Sequence, residues 1–181
     1  MTGQNPYVEL KPPADCSKDE HDRFRDMVLE AGEVEDEGLD ARIARARVLA
    51  FLRFGTATIG VGALKVPNQN YVRKLFKLAH TKCERQLYEL ELGWVVVELA
   101  HRGNFFSRRI VEALVARAGG QRIYATSVST RIPMHRALIE CDFAREGGDW
   151  QSKRRPDERL FLFVHNSHTV RSSMGGATCP P

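Results

Sequence analysis

Apolar and polar positions alternate along this chain with a period that switches between two and about 3.6, which divides it into short strands and helices. Residues 7–10 (YVEL) form a brief first strand, stopped by Pro12-Pro13. Ser17 and Glu20 have the spacing of a capping box, and Phe24, Met27, Val28 and Leu29 follow at helical intervals to about Gly32. The acidic run 33–37 is a loop, and 39–46 a second short helix. Residues 48–54 and 56–65 make a hairpin turned at Gly55, its second strand interleaving Gly60 and Gly62 with Ile59, Val61 and Ala63. Past the turn 67–70, Asn70 is the expected N-cap of a helix over 71–80, which carries Val72, Leu75, Phe76 and Ala79 on one face.

The stretch 89–118 organises the rest. Residues 92–97 are rich in β-branched and aromatic side chains, as a buried strand requires. The turn 101–104 (HRGN) follows, and then a helix with Ile110, Val111, Leu114 and Val115 at helical spacing. A strand feeding a turn at a helix N-terminus leaves several backbone N–H groups unpaired at the positive end of a dipole. Such an arrangement binds anions, phosphates above all. A strand over 121–127 comes next, then a helix 134–141 with Pro133 at its first position. Strands 143–146 and 159–164 close the pattern around a polar loop 147–158. This order predicts an α/β fold with a mixed central sheet of about six to seven strands flanked by helices. It forms a single domain over 1–164, followed by an apolar-poor, disordered tail over 165–181.

Composition narrows the partners. With 181 residues, 43% hydrophobic and 28% charged, the chain is long enough to bury a sizeable core. No apolar run is long enough to span a bilayer, no secretory signal is visible, and Cys16, Cys83, Cys141 and Cys179 show no paired framework. A cytoplasmic protein with no membrane partner is expected. The net charge of +4 conceals an asymmetry, −8 over residues 1–40 and +12 over 41–181. The basic body suits a polyphosphate ligand or nucleic acid. No nucleic-acid-binding module accompanies Lys153-Arg154-Arg155, so the polyphosphate is preferred. The acidic segment suits a cationic partner; the alternative is two solvated faces that balance each other.

Residues 95–118 (VVVELAHRGNFFSRRIVEALVARA) resemble the acyl-CoA-binding motif of the GNAT superfamily of N-acyltransferases, Arg/Gln-x-x-Gly-x-Gly/Ala between a strand and a helix. Arg102 and Gly103 match the Arg-Gly-x-Gly-x-Gly version, whose next glycine positions hold Phe105 and Ser107. Residues 124–143 resemble the family's strand–helix–"GF" segment, and the likeness spans about 46–164, with one extra helix at 71–80.

The resemblance implies acetyl transfer from acetyl-CoA to a primary amine by direct attack in a ternary complex. Backbone of Val95, Val96 and Val97 would contact the pantetheine arm and acyl carbonyl. Gly103, Asn104, Phe105, Phe106, Ser107 and Arg108 would hold the pyrophosphate, Arg102 and Arg108 adding charge, with the bulk of Phe105 set where backbone should approach it. Glu91, eleven residues before Arg102, stands where histone-acetylating members carry their base; Glu89 shares its face, and a solvated or salt-bridged strand-end carboxylate is the structural alternative. The tyrosine that many members place five residues before the "GF" phenylalanine is Leu138 here, which leaves water or Ser127 to assist thiolate departure. That gap and Phe105 motivate a second reading, a non-catalytic ligand- or partner-binding relative. The amine acceptor would enter between the N-terminal helices (17–46) and the far end of the sheet, and the acidic segment favours a cationic one. No metal is expected, since His80-x-x-Cys83 and His165-x-x-His168 lie in a loop and the tail. Oligomeric state stays open, a homodimer included.

Overall fold

A computed structural model describes residues 5–166. The elements follow in the order β1 (Tyr7–Lys11), α1 (Lys18–Glu30), α2 (Leu39–Ala44), β2 (Val48–Phe54), β3 (Ala57–Lys65), α3 (Gln69–Leu78), β4 (Leu90–Val97), α4 (Phe106–Ala118), β5 (Ile123–Val128), α5 (Ile132–Glu140), β6 (Phe143–Gln151) and β7 (Arg159–His165). The strands form one sheet in the order β1-β2-β3-β4-β5-β7-β6. Every neighbouring pair is antiparallel except β4 and β5, which are joined by the crossover helix α4 and therefore run parallel.

Alternation along the strands sends side chains into cores on both faces. On one face Ile110, Val111 and Leu114 of α4, with Leu138 of α5, pack against Leu52, Leu64 and Leu92. Gly62 lets α4 come this close, because a Cβ there would stand 2.5 Å from Ile110 Cγ2. On the other face α1 and α2 cover β2–β4 through Phe24, Met27, Leu39 and Ile43. The extra helix α3 covers β5, β7 and β6 beside them, burying Val72, Leu75 and Phe76 against Tyr124, Leu162 and Val164. That face therefore has two covered halves with a seam between them at β4 and β5.

The capping box at Ser17 forms as expected, Ser17 Oγ accepting from the Glu20 N–H and Glu20 from that of Ser17. Several boundaries differ from the sequence reading. Asn68, not Asn70, caps α3; its side chain accepts the Asn70 N–H at 2.8 Å, so the helix begins at Gln69. Pro133 is the second residue of α5, after Ile132. The expected polar loop 147–158 is partly strand: β6 runs on to Gln151 across an irregularity between Glu146 and Trp150. There Gly148 donates to the Ala79 carbonyl at 2.7 Å, binding the strand to the end of α3. His165, placed in the tail by composition, is the last residue of β7, and residues 167–181 lie outside the described part. Among the described residues no helix is long and apolar enough to cross a membrane.

Candidate active site

β4 and β5 pair at only three positions, Leu90↔Ile123, Glu91↔Tyr124 and Leu92↔Ala125. Beyond them the strands part. The cause lies in β4 itself, whose register with β3 slips by one residue between Ala63↔Gly93 and Val61↔Val96, a bulge that puts Trp94 in the left-handed region at φ 54°. A tryptophan adopts that conformation only where its surroundings hold it. Phe24 meets its ring edge-on at 6.0 Å, and the Lys65 ammonium lies over it at 5.1 Å. The bulge bends β4 away from β5 and opens a cleft of about 830 Å³. Val95, Val96 and Val97 line it, with backbone that finds no partner on β5.

The foot of the cleft is the start of α4. Phe105 is the N-cap and offers no side-chain cap, so the first-turn N–H groups of Phe106, Ser107 and Arg108 stay open. Gly103, Phe105, Phe106, Ser107 and Arg108 line the cleft. Asn104 does not; its amide folds back onto the carbonyls of His101 and Arg102 at 3.1 and 3.4 Å. Phe105, at φ 56°, is 74% exposed and lines the cleft from its rim. The two arginines are less free than the sequence suggests. Arg102 donates from Nε to the Val97 carbonyl at 3.1 Å, and Arg108 bridges Glu112 at 2.7 Å and Glu140 at 3.0 Å.

At the apex, where the strands part, stands Glu91, 4% exposed, while Glu89 is solvent-exposed. Glu91 Oε1 accepts from Lys65 Nζ at 2.7 Å, and the Tyr124 hydroxyl makes a long 3.4 Å hydrogen bond to Oε2. Lys65 faces Glu91 in the β3–β4 register and crosses Gly93, where a Cβ would come within 2.8 Å of Lys65 Cε. Tyr124 is fully buried, and burial followed by the Glu91 charge holds its pKa well above the ordinary tyrosine value. Tyr71 reaches in from α3. About half its surface is exposed, but its hydroxyl end is buried within hydrogen-bonding range of Thr126, and burial, then the Glu91 charge, raises its pKa.

Sequence reasoning missed Lys65, Trp94 and Tyr71, all of which line the cleft. Lys65 stands opposite Glu91 in the β3–β4 register, but α3 intervenes between those strands, so no hairpin turn in the sequence fixes that pairing. Tyr71 carried no signal beyond its place in the extra helix. Leu138 is buried, as a core leucine should be. Ser127 lines the cleft from the α4–α5 face, one residue along β5 from Thr126. His135 is buried, bonded to the Val128 carbonyl at 3.0 Å, and burial lowers its pKa. The acidic loop is internally bonded: Glu33 takes Arg131 at 2.5 Å and Arg155 at 3.6 Å, and Asp36 takes Arg25. Among the described residues no three His, Cys, Asp or Glu side chains gather as a metal site would need; His168 lies outside them.

No family model and no curated protein sequence matches the chain. Its likenesses are to solved structures. An acyl-CoA N-acyltransferase from Pseudomonas aeruginosa superposes with a TM-score of 0.65 at 14% identity, over 89% of this chain and 99% of that one. A Bacillus subtilis acetyltransferase in complex with CoA gives 0.62 at 12%, over 90% and 99%. A GNAT family acetyltransferase from Elizabethkingia anophelis with acetyl-CoA bound gives 0.60 at 8%, over 90% and 98%. At such identities what is shared is the fold, and the fold is that of the GNAT acyltransferases.

Proposed function

We propose that this chain, built on the GNAT fold, is an N-acyltransferase that moves an acetyl group from acetyl-CoA to a primary amine. The observation that carries the reading is the parting of β4 from β5 after Leu92↔Ala125, with an uncapped helix start at one end and Glu91 at the other. The residues present fit the donor. The unpaired edge of Val95–Val97 matches the amide groups of a pantetheine arm, and the first-turn N–H groups of α4 match a pyrophosphate. Gly103, Phe105, Phe106, Ser107 and Arg108 form that seat, while Asn104 serves by closing the turn. A cleft of about 830 Å³ is ample for the arm.

Bound there, acetyl-CoA supplies an activated acyl carbonyl. The chain does the rest. Backbone N–H groups of the bulged strand polarise the carbonyl oxygen as negative charge builds on it. Glu91, reached from the α1–α3 face, takes the proton that the amine sheds as its nitrogen bonds to carbon and the carbon–sulfur bond breaks. Lys65 orients Glu91 by holding Oε1. Tyr71 stays protonated at neutral pH and stands near the apex, the candidate donor for the departing sulfur where the aligned position is Leu138.

Calorimetric titration with acetyl-CoA tests the donor half of this reading, with binding expected in the micromolar range. Thiol release with simple primary amines tests the rest. Binding without turnover, across a broad amine panel, would make the chain a ligand-binding relative rather than an enzyme.

A further inference from the structure

The face of the cleft that carries Glu91 is bounded by α3, the α1–α2 loop and the loop after β6, and its charge is lopsided. Two carboxylates reach it. Glu91 is held by Lys65, and Glu33 is shared between Arg131 and Arg155. Against them stand Lys74, Lys153 and Arg154, which line the same cleft and have no ion-pair partner among the described residues. Lys74 comes from α3 and Lys153 from the loop after β6, both exposed on the lining of the same cleft, and the neighbouring Lys153 ammonium lowers the pKa of Lys74. Like charges brought together from separate elements repel, and an anion between them relieves that repulsion. The seat is not placed for the donor's phosphates. The α4 N-terminus continues into the α4–α5 face through Phe106, whereas α3 packs on the opposite face of the sheet.

We infer that the acyl acceptor is a primary amine that also carries an anionic group, a carboxylate or a phosphate, seated at Lys74 and Lys153 while its amine reaches Glu91. This rests on the acyltransferase reading above. It also reverses the expectation of a cationic acceptor, because the acidic loop that suggested one has Glu33 bonded to arginines that close over the cleft and Asp36 bonded to Arg25. In the reaction the acceptor nitrogen forms the amide bond, the thioester C–S bond breaks, the amine proton passes to Glu91 and the departing sulfur takes a proton from Tyr71, which regains one from solvent. The anionic group is unchanged and serves only to anchor.

The test uses the full chain, acetyl-CoA and four small amines: O-phosphoethanolamine, β-alanine, ethanolamine and 1,4-diaminobutane. One of the two anionic amines should exceed ethanolamine in kcat/KM by about tenfold or more, the size of one charge-assisted contact, and which of them leads separates phosphate from carboxylate. The double variant Lys74→Gln/Lys153→Gln should raise the KM of that amine about tenfold, with the KM of acetyl-CoA and the rate on ethanolamine within about twofold. Preference for ethanolamine or 1,4-diaminobutane overturns the inference. So does a double variant that raises the KM of acetyl-CoA instead, since the lysines would then serve the donor. If acetyl-CoA binds but no amine is acetylated, titration of both anionic amines into the CoA-saturated protein decides: binding lost in the double variant upholds the seat, and no binding by the native chain removes it. If acetyl-CoA itself fails to bind, the acyltransferase reading falls, and the same titration into the free protein still tests the seat.

Discussion

Two cation-paired carboxylates, one on a helix and one on the sheet, are treated differently. Glu20, on α1, holds three donors: Oε1 takes both Lys11, at 2.8 Å, and Arg53, and Oε2 takes the Ser17 N–H at 2.9 Å. Glu91, on β4, has one short partner in Lys65, one long one in Tyr124, and a cleft in front of it. A carboxylate engaged by donors from three elements ties them together, here β1, β2 and α1. One with spare capacity facing a cavity can accept a further proton donor. Satisfaction, more than burial, separates the structural role from the chemical one.

The comparison breaks first at Glu91. Glu91→Gln should lower kcat by about 10²–10⁴-fold in a thiol-release assay, beyond whatever stability the lost Lys65 pair costs; a kcat within about twofold of native across pH 6–9 would remove it as the base. Glu20→Gln should act on stability alone. It leaves two cations facing a weaker acceptor and should cost about 1–3 kcal/mol, read as a fall in Tm of several degrees at unchanged kcat. Acid sharpens the same contrast. The Lys11 hydrogen bond, ahead of the other contacts, holds the Glu20 carboxyl at about 2, against an ordinary 4.5. Its contribution to stability is therefore complete above about pH 4.5 and is lost as pH falls towards 2. The Tm gap between native and Glu20→Gln proteins should narrow over that window; a constant gap would show that the pair contributes no pH-dependent stability. The smallest effect belongs to Phe105→Gly. Relief of a left-handed non-glycine residue is worth about 1–2 kcal/mol, offset in part by glycine's chain entropy. With Phe105 74% exposed, acetyl-CoA affinity should change by less than about threefold; a large gain would show that the ring closes the seat.

Much of this was legible because it depends on short-range pattern. The strand 92–97, the turn after it and the helix bearing Ile110 and Leu114 are written in alternation and in one glycine-bearing turn. What escaped depends mostly on contacts between distant segments. Arg102 is a local exception: it has the look of an anion ligand, yet its Nε donates to the Val97 carbonyl five residues back. Trp94 in sequence is one more apolar strand residue; that it sits at the bulge depends on Phe24 and Lys65, far off along the chain. Tyr71 belongs to a helix whose amphipathic pattern announces its buried face and says nothing of the side chain at its edge. The acidic segment was read as a sum of charges over residues 1–40, and a sum does not disclose that Glu33 and Asp36 are each paired with an arginine.

The sheet order bears on how the molecule is made. Among the described residues β7 is the last strand but lies between β5 and β6, and β6 pairs with no other strand there. During synthesis β1 to β4 can zip together as their residues emerge, each beside a neighbour already present. β6 must wait, its backbone unpaired and Trp150 exposed, until residues 159–165 clear the ribosome. A chain that has emerged only as far as residues 151–159 would display a finished N-terminal half beside an open edge, and that interval is where a chaperone would find it.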